Sequence, residues 1–420
     1  MLRLLHTSDW HLGQSLRDLD RSEEHLAFLS WLGDLLEREF QAGNPFHATL
    51  IAGDVFDNPN PSARAQGLFY EFLERARHFT QLVVIAGNHD SAERLQAPSP
   101  LFSRLGIHII GHWPEDNQPA ELVIPVQGDR ESALILAMPF LRLGDLGSFQ
   151  AGQAADHFAQ AHKKRYQQLL ETAQAHPQFQ KNEQTTLIGM GHCFVSGAAT
   201  NEETERRVGL QDELPLEVFP LNLAYLALGH LHRPQRVGKH EFMHYCGSPL
   251  PLGFSEAGYA HQILDVCLQG GICASVTPVP VPAFRPWLRV PVQHASWADV
   301  LQQIDQLEPL SGRSANDPLR PLLEVRLLPG LDVPTDLRER LQERLADKWP
   351  LFFRIDVFQA SARNHIAEAP QEDLLALEDL SPLEVFRSLC AEEHIEAQGR
   401  AELEKDFQSL LEEWRTEGNP

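Results

Sequence analysis

Residues 48–57, Ala-Thr-Leu-Ile-Ala-Gly-Asp-Val-Phe-Asp, join a short apolar run to a polar turn. Five apolar or β-branched residues closed by a glycine predict a buried strand. Gly53 lets the chain turn sharply after that strand, and Asp54 and Asp57 follow at once. An aspartate there is commonly only a turn former or a helix cap. This stretch alone therefore predicts a strand end and no particular chemistry.

The same arrangement of an apolar run followed by a polar motif occurs five times along the chain. The motifs are Asp9-Trp10-His11, Gly53-Asp54-Val55-Phe56-Asp57, Gly87-Asn88-His89-Asp90, Gly191-His192 and Gly229-His230-Leu231-His232. In open α/β sheets, ligands bind beyond the carboxyl ends of the strands, so five strands would bring these residues to one crevice. The tendency of aspartate and asparagine to form turns does not account for five such sites in succession.

The residue types in these motifs indicate a metal site. Aspartate, histidine and asparagine offer oxygen and nitrogen atoms without a thiolate, which suits Mn²⁺, Fe²⁺ or Zn²⁺ and argues against a structural zinc site. Asp54 is of the type that bridges two ions about 3.5–4 Å apart, as in two-metal hydrolytic sites. The predicted ligands are Asp9, His11, Asp54, Asn88, His192, His230 and His232.

Up to about residue 275, apolar runs alternate with amphipathic stretches, which predicts an α/β domain. The predicted strands are residues 2–6, 48–52, 82–86, 133–138, 186–190 and 225–228, and the predicted helices include 23–39 and 62–77. The string Pro278-Val279-Pro280-Val281-Pro282 predicts an extended linker, because each proline fixes φ and donates no hydrogen bond. We therefore place a catalytic domain at residues 1–277.

Two further parts are predicted beyond this linker. Residues 285–362 have the pattern strand, helix, strand, helix, strand, which predicts a small second domain. Residues 375–416 predict two helices. Ser381-Pro382-Leu383-Glu384 combines an N-cap, a proline at the first position and a capping box, and apolar residues from Leu403 to Trp414 share one helical face.

Composition limits the class of protein. The chain has 420 residues, of which 43% are hydrophobic and 22% charged, as expected for two or three globular domains. No run of about 18 or more apolar residues is present, and the N-terminus turns polar too soon for a signal peptide, so we expect no membrane association. Five scattered cysteines without a Cys-x-x-Cys pair favour a reducing, cytoplasmic setting.

The formal charge of −23 is concentrated in the tail, because residues 361–420 hold 15 acidic and 5 basic residues. Phosphate binding is mainly electrostatic, so this charge argues against a DNA coat protein. It does not argue against a metal-dependent nuclease, because bound divalent ions invert the local field. Residues 285–363 carry 11 basic and 11 acidic residues, so the sequence predicts no basic face there and assigns no DNA-contact residue.

The series of motifs resembles the calcineurin-like metallophosphoesterase superfamily, and four longer strings resemble its SbcD family of bacterial nuclease subunits. These strings are His6-Thr7-Ser8-Asp9-Trp10-His11-Leu12-Gly13, Ala52-Gly53-Asp54-Val55-Phe56-Asp57, Ala86-Gly87-Asn88-His89-Asp90-Ser91 and Tyr245-Cys246-Gly247-Ser248-Pro249. The resemblance covers nearly the whole chain. It implies an α/β metallophosphoesterase sandwich of two sheets flanked by helices, a small α+β capping domain and a C-terminal helix pair.

The resemblance also implies roles for the polar residues. One ion would be held by Asp9, His11 and His232 and the other by Asn88, His192 and His230, with Asp54 bridging the two. The family likeness implies that both divalent ions are Mn²⁺.

His89 is implied to lie beside the scissile phosphate, as an acid for the leaving oxygen or a stabiliser of charge. The alternative is a histidine that only orients Asp90. Asp57 is expected to support the ligands from behind, and Asp90 to orient His89.

The implied function is a DNA nuclease subunit for repair and recombination, with exonuclease action on duplex ends and endonuclease action on hairpins and single strands. The implied partner is an SbcC-type coiled-coil ATPase, docked by the helices of residues 375–416; the alternative is that these helices fold back onto their own chain. The chain has no Gly-x-x-x-x-Gly-Lys-[Ser/Thr] string, so ATP use would belong to that partner. A homodimer within a heterotetramer is implied, and the resemblance points to residues 62–77 and the segment after Asp90 as its interface. The sequence alone does not distinguish an interface from core there.

Two other functions fit the same motifs. A small-molecule phosphodiesterase of the superfamily would share the metal chemistry, since the motifs define the reaction and not the substrate. A non-catalytic scaffold would be expected to lack ligands, and none is missing from this sequence. The additional domain and helix pair favour a macromolecular assembly.

Overall fold

The computed structural model describes residues 1–17, 19–114, 118–128, 131–142, 145, 154–181, 185–199, 213–220, 222–330 and 333–358. These residues belong to one compact unit, Met1–Phe358. The predicted helices at 375–416 lie outside the described residues. Within the described ranges, no helix is long and apolar enough to cross a bilayer.

Strands and helices alternate along most of the chain. In chain order the strands are β1 (Leu2–Thr7), β2 (Ser15–Leu16), β3 (Leu19–Asp20), β4 (Ala48–Ala52), β5 (Gln81–Ile85), β6 (Ile107–Ile110), β7 (Val123–Gln127), β8 (Ser132–Ala137), β9 (Thr186–His192), β10 (Tyr225–Gly229), β11 (Gln235–Arg236), β12 (Met243–Tyr245), β13 (Gln262–Gln269), β14 (Ile272–Pro280), β15 (Trp287–Ala295), β16 (Leu322–Leu327) and β17 (Leu351–Val357). The helices are α1 (Ser22–Gln41), α2 (Ala63–Ala76), α3 (Ala92–Gln96), α4 (Ser99–Phe102), α5 (Ala154–Ala175), α6 (Pro177–Lys181), α7 (Trp297–Asp305) and α8 (Leu337–Leu345).

Two six-stranded sheets form the body of the protein. The first has the order β14-β13-β1-β4-β5-β6 and the second β11-β12-β10-β9-β8-β7. In the first sheet β1, β4, β5 and β6 are parallel, and β13 joins β1 in antiparallel orientation. The structure thus confirms the predicted sandwich of two sheets flanked by helices.

The central strands are apolar along their whole length because both faces are covered. Successive residues point to opposite faces, so Leu50 belongs to the core between the two sheets, whereas Ile51 belongs to the core under α1 and α2. Each fully buried aliphatic side chain contributes about 1.5–3 kcal/mol to folding. Helix α2 begins where predicted, and Ser62 Oγ accepts a hydrogen bond from the Ala65 N–H at 3.2 Å.

The structure contradicts the predicted linker at residues 278–282 over its first three residues, which end a strand. Strand β14 continues to Pro280 and pairs with β13 along its whole length, with Pro280 opposite Gln262. Prolines are tolerated because β14 is an edge strand of the first sheet, where one side of the backbone needs no donors. The alternation of proline and valine therefore indicates an edge strand and not a free connection.

Residues 287–357, named the cap here, contain the predicted order strand, helix, strand, helix, strand. The parallel strands β15, β16 and β17 form a three-stranded sheet, and α7 and α8 pack with it around a small core of their own. Ser296 caps α7 by accepting a hydrogen bond from the Asp299 N–H at 3.3 Å.

Candidate metal centre

All seven predicted ligands lie at one end of the two large sheets. They follow or end the strands β1 (Asp9, His11), β4 (Asp54), β5 (Asn88), β9 (His192) and β10 (His230, His232). The Asp9 N–H donates to Gly53 O at 3.0 Å, and the His230 N–H donates to Asp9 Oδ1 at 3.0 Å. The second of these bonds joins the two sheets at the site.

The backbone of the site is held in an unfavourable conformation. Of the five non-glycine residues with positive φ among the described residues, four are predicted ligands: Asp9 (55°), His11 (47°), Asp54 (49°) and His230 (100°). Such backbone costs of order 1–3 kcal/mol per residue and persists only where its surroundings impose it. The site is thus built at a cost in stability, as functional sites often are.

Two glycines permit the close approach of the ligand loops. A Cβ atom on Gly87 would lie 2.1 Å from Asp54 Oδ1. Gly53 has a φ of 91°, and a Cβ atom there would lie 2.2 Å from His192 Nδ1. Any side chain at these positions would displace a predicted ligand.

The first predicted group of ligands is brought together. Donor atoms of Asp9, His11 and His232 lie within 4.8 Å of one another, and all three side chains are buried. The His11 and His232 rings are 5.2 Å apart between centroids. Both ring nitrogens of His11 are buried and have no hydrogen-bond partner. A buried imidazole in that state is costly unless a ligand satisfies it.

The second predicted group converges on the Asn88 side chain. Asn88 Oδ1 lies 3.0 Å from His192 Nε2 and 2.9 Å from His230 Nδ1. Cis ligands of an octahedral ion with bonds near 2.1 Å are about 3 Å apart, so these separations suit a shared ion.

Asp54 lies between the two groups. Its Oδ2 is 3.6 Å from His11 Nε2 and 3.3 Å from His192 Nε2, so one oxygen faces a member of each group. Its Oδ1 accepts a hydrogen bond from the His89 N–H at 2.9 Å. This is the position expected of a bridging carboxylate.

Asp54 and the histidines beside it shift one another's pKa values. Burial opposes its ionisation, but His192 and His11 hold the pKa of the Asp54 carboxyl well below its usual range. Burial also opposes charge on His192, yet Asp54 raises the pKa of His192 to about 9. Burial and the neighbouring His192 lower the pKa of His230 to about 3. A divalent ion would take the place of the proton that Asp54 stabilises on His192.

Two ligand histidines are oriented by a hydrogen bond at Nδ1, and a third has a carboxylate beside its Nδ1. His192 Nδ1 donates to Ala52 O at 2.8 Å, and His232 Nδ1 donates to Glu256 Oε1 at 2.8 Å. Asp57 Oδ1 lies 3.3 Å from His11 Nδ1 without hydrogen-bond alignment. These contacts leave Nε2 of each ring turned to the site, which is how metal-binding histidines are usually held.

His89 differs from the ligands in its exposure to solvent. It is exposed, whereas the ligands are buried or half-buried. Its ring lies 4.8 Å from that of His11 between centroids, and its Nδ1 donates to the Asp57 backbone carbonyl at 2.8 Å.

The Asp90 carboxylate makes no hydrogen bond to the His89 ring in the described part of the chain, contrary to the expectation that it orients that ring. Its carboxylate accepts backbone N–H groups of Gly87 (2.9 Å), Phe56 (2.9 Å) and Val55 (3.2 Å). Burial and the neighbouring Asp54 raise the pKa of Asp90 to about 6. Asp90 therefore joins the loops that carry Asp54 and Asn88.

Two residues that hold the site in place lie outside the five sequence motifs. Glu256 is fully buried and holds His232. Arg142 Nη2 donates to the carbonyls of Asp90 and, at 3.5 Å, Gly87, so it holds the loop of Asn88 and His89. Neither residue belongs to a motif, and their distance along the chain from these partners hides the contact.

The donor set therefore fits two divalent ions. It combines carboxylates, an amide oxygen and imidazoles, with one carboxylate shared, and a buried histidine otherwise lacks partners. Manganese, iron and zinc are all compatible with these donors.

Two family models match this chain. Residues 2–234 match the model of the calcineurin-like phosphoesterase family, which covers all seven predicted ligands. Residues 283–394 match a second model, described as the type 5 capsule protein repressor C-terminal domain.

Three relatives, each named as the D component of the nuclease SbcCD, are similar over most of their length. The protein of Rhodobacter capsulatus is 38% identical over 73% of this chain and 76% of its own length. That of Bacillus subtilis is 35% identical over 69% and 72%, and that of Escherichia coli K12 is 29% identical over 98% of both chains.

Proposed function

This chain belongs to the calcineurin-like phosphoesterases and, within them, to the SbcD nuclease subunits, and on that basis we propose that it cuts DNA phosphodiesters with two divalent ions, Mn²⁺ by preference. The observation that carries the proposal is the pair of ligand groups facing the single carboxylate of Asp54. A shared carboxylate between two ions is characteristic of phosphoester hydrolysis.

The side chains divide the chemistry among them. The bound ions would supply positive charge to the phosphoryl oxygens and acidify a water. Asp9, His11 and His232 would hold one ion and Asn88, His192 and His230 the other, and Asp54 lies beside both groups. Because a carbonyl can only accept, the Asp57 contact assigns a hydrogen to His89 Nδ1. When both ring nitrogens carry a hydrogen, Nε2 can give its own to the leaving oxygen, and the ring is left neutral with its hydrogen on Nδ1.

A polymeric substrate suits the exposure of the site. His89 is exposed while the ligands behind it are buried or half-buried, so a phosphodiester in a long chain can reach it. We assign the protein to DNA ends, hairpins and single strands, in a complex with an SbcC-type ATPase in repair and recombination. We place it in the cytoplasm, which the free thiols of the four described cysteines favour.

The test is cleavage of linear duplex and hairpin DNA with Mn²⁺, with and without an SbcC-type partner. We expect cutting by the unaltered protein and at least about 100-fold less by Asp54→Asn, which removes the shared charge. A matched control is Asp34→Asn, on the exposed side of α1, which should cut normally.

Hydrolysis of bis(p-nitrophenyl) phosphate without DNA cleavage in either mixture would contradict the nuclease assignment. It would favour a small-molecule phosphodiesterase. Absence of both reactions in the presence of bound Mn²⁺ would favour a scaffold. Ion content is measured separately by calorimetric titration with Mn²⁺, for which we expect two ions per chain.

A further inference from the structure

One turn of 3₁₀ helix, Phe254–Glu256, touches both the metal centre and the cap. Glu256 is fully buried, and Phe254 is 2% exposed. The two side chains engage different parts of the protein although they are two residues apart. The turn is thus placed to connect them.

On the side of the metal centre, the Glu256 carboxylate is bound through both oxygens. Oε1 accepts from His232 Nδ1 at 2.8 Å, and Oε2 accepts from the Leu252 N–H at 2.8 Å. The carboxylate places the hydrogen of His232 on Nδ1, so Nε2 carries the lone pair that an ion would bind. Such a partner usually changes metal affinity about 10–100-fold when removed.

On the side of the cap, Phe254 lies between two strands. Its ring centroid is 4.9 Å from that of Trp287 on β15 and 5.8 Å from that of Phe353 on β17. Arg289 of β15 donates to the Phe254 carbonyl, and the Arg354 guanidinium lies 5.2 Å from the Phe254 ring. Both ring and backbone of Phe254 are therefore held by the cap.

The two arginines are themselves fixed inside the cap by one carboxylate. Glu324 of β16 is fully buried and accepts from Arg289 Nε at 3.0 Å and Arg354 Nε at 2.6 Å. Breaking a buried ion pair is costly, so these arginines keep their places relative to the cap sheet. Any displacement of that sheet acts on Phe254.

We propose that Glu256 is the positioning residue of His232. The cap in turn sets the position of Glu256 through Phe254. The affinity of the ion held by Asp9, His11 and His232 then depends on the placement of the cap, and whatever binds the cap adjusts that ion. This inference rests on the proposed two-ion centre but not on DNA as the substrate.

The test measures Mn²⁺ binding to the full-length chain by calorimetry, without DNA. We expect Glu256→Gln to lower the affinity for one of the two Mn²⁺ ions about 10–100-fold and to leave the affinity for the other unchanged. Glu256→Asp, which restores the charge, should recover part of the affinity. Equal weakening of both ions, or none, would overturn the role of Glu256.

The cap contribution is tested with Phe353→Ala and its neighbour Phe352→Ala. Phe352 packs on the core of the cap and not on Phe254, so it is a matched control for loss of an aromatic ring from β17. We expect Phe353→Ala to lower the affinity for the same ion several-fold. Phe352→Ala should change that affinity less than about twofold. Equal effects of the two substitutions would overturn the coupling. Phe353→Leu, a smaller change, serves the same comparison if the alanine variant unfolds.

A double variant shows whether Phe353 acts through Glu256. If it does, Phe353→Ala adds no further loss in the Glu256→Gln background, whereas independent residues give additive losses. Additive losses would contradict the proposed route. If the variants change Mn²⁺ affinity as expected but the unaltered protein does not cleave DNA, only the nuclease activity is rejected. If DNA cleavage is normal but the variants do not change Mn²⁺ affinity as expected, only the coupling is rejected.

Discussion

His89 Nδ1 lies 2.8 Å from the backbone carbonyl oxygen of Asp57, and this contact determines which ring nitrogen carries a hydrogen. The carbonyl can only accept, so Nδ1 carries the hydrogen and Nε2 stays available. The side chain of the same Asp57 lies beside His11. One residue thus supports both a predicted ligand and the proposed proton donor.

We predict that His89→Ala binds Mn²⁺ normally but loses about 100-fold or more of its turnover, the usual effect of removing a general acid. Calorimetry and phosphodiester hydrolysis measure the two quantities separately. His78→Ala, at another exposed histidine, is the control and should behave as the unaltered protein. Loss of an ion in His89→Ala would make His89 a ligand.

Gly87→Ala should abolish binding of at least one ion, because its Cβ would lie 2.1 Å from Asp54 Oδ1 and force the bridging carboxylate to move. Gly67→Ala is the matched control. Gly67 lies in α2 with nothing within 4 Å of its Cβ position. Alanine there should raise helix stability by up to about 1 kcal/mol and leave ion binding unchanged. Normal Mn²⁺ binding by Gly87→Ala would show that the loop adapts.

Acid should destabilise the protein partly through His162 on α5. Burial lowers the pKa of His162 to about 4, whereas a histidine in the unfolded chain titrates near its ordinary value of 6.5. Between these values only the unfolded chain takes up the proton, so stability falls as the pH decreases from 6.5 towards 4. At pH 5 the loss from this residue is about 2 kcal/mol.

His162→Gln removes this titration. Its urea unfolding midpoint should therefore decrease less than that of the unaltered protein between pH 7.5 and pH 5. An identical decrease in both proteins would mean that His162 takes up its proton in the folded state.

A homodimer should depend on Leu101 and Leu105, in the segment after Asp90. These side chains are 75% and 46% exposed, and the adjacent Phe102 ring packs on Tyr70 of α2, at 5.9 Å between centroids. Exposed leucines at one place often mark an interface. We expect Leu101→Lys with Leu105→Lys to give a monomer in sedimentation, whereas Ile272→Lys, 65% exposed on β14, should not. A dimer that survives the double substitution would place the interface elsewhere.

Deletion of residues 375–420 should abolish binding to an SbcC-type partner and leave intrinsic Mn²⁺-dependent cleavage unchanged. The apolar faces predicted for those helices are the expected contact. Co-purification of the truncated chain with the partner would refute this assignment. Loss of intrinsic cleavage would indicate that the segment folds back onto the catalytic domain.

Much of the fold was predictable because its signals are local. A buried strand is apolar in consecutive residues, and a helix start such as that of α2 is defined within four residues. The edge strand β14 was missed for the same reason. A string of prolines by itself predicts a linker, and only the pairing with β13 shows that this segment belongs to a sheet.

The sequence by itself determined which donor atoms are present and that each lies at a strand end, since residue type and strand periodicity are properties of neighbouring residues. Only the tertiary structure decided which donors meet. Asn88 and His230 are 142 positions apart, and Asp9 and His230 are 221 apart. It alone also brought Glu256 to His232 and turned Asp90 towards the backbone of the ligand loops. These contacts follow from the packing of two sheets and a cap, which no spacing along the chain encodes.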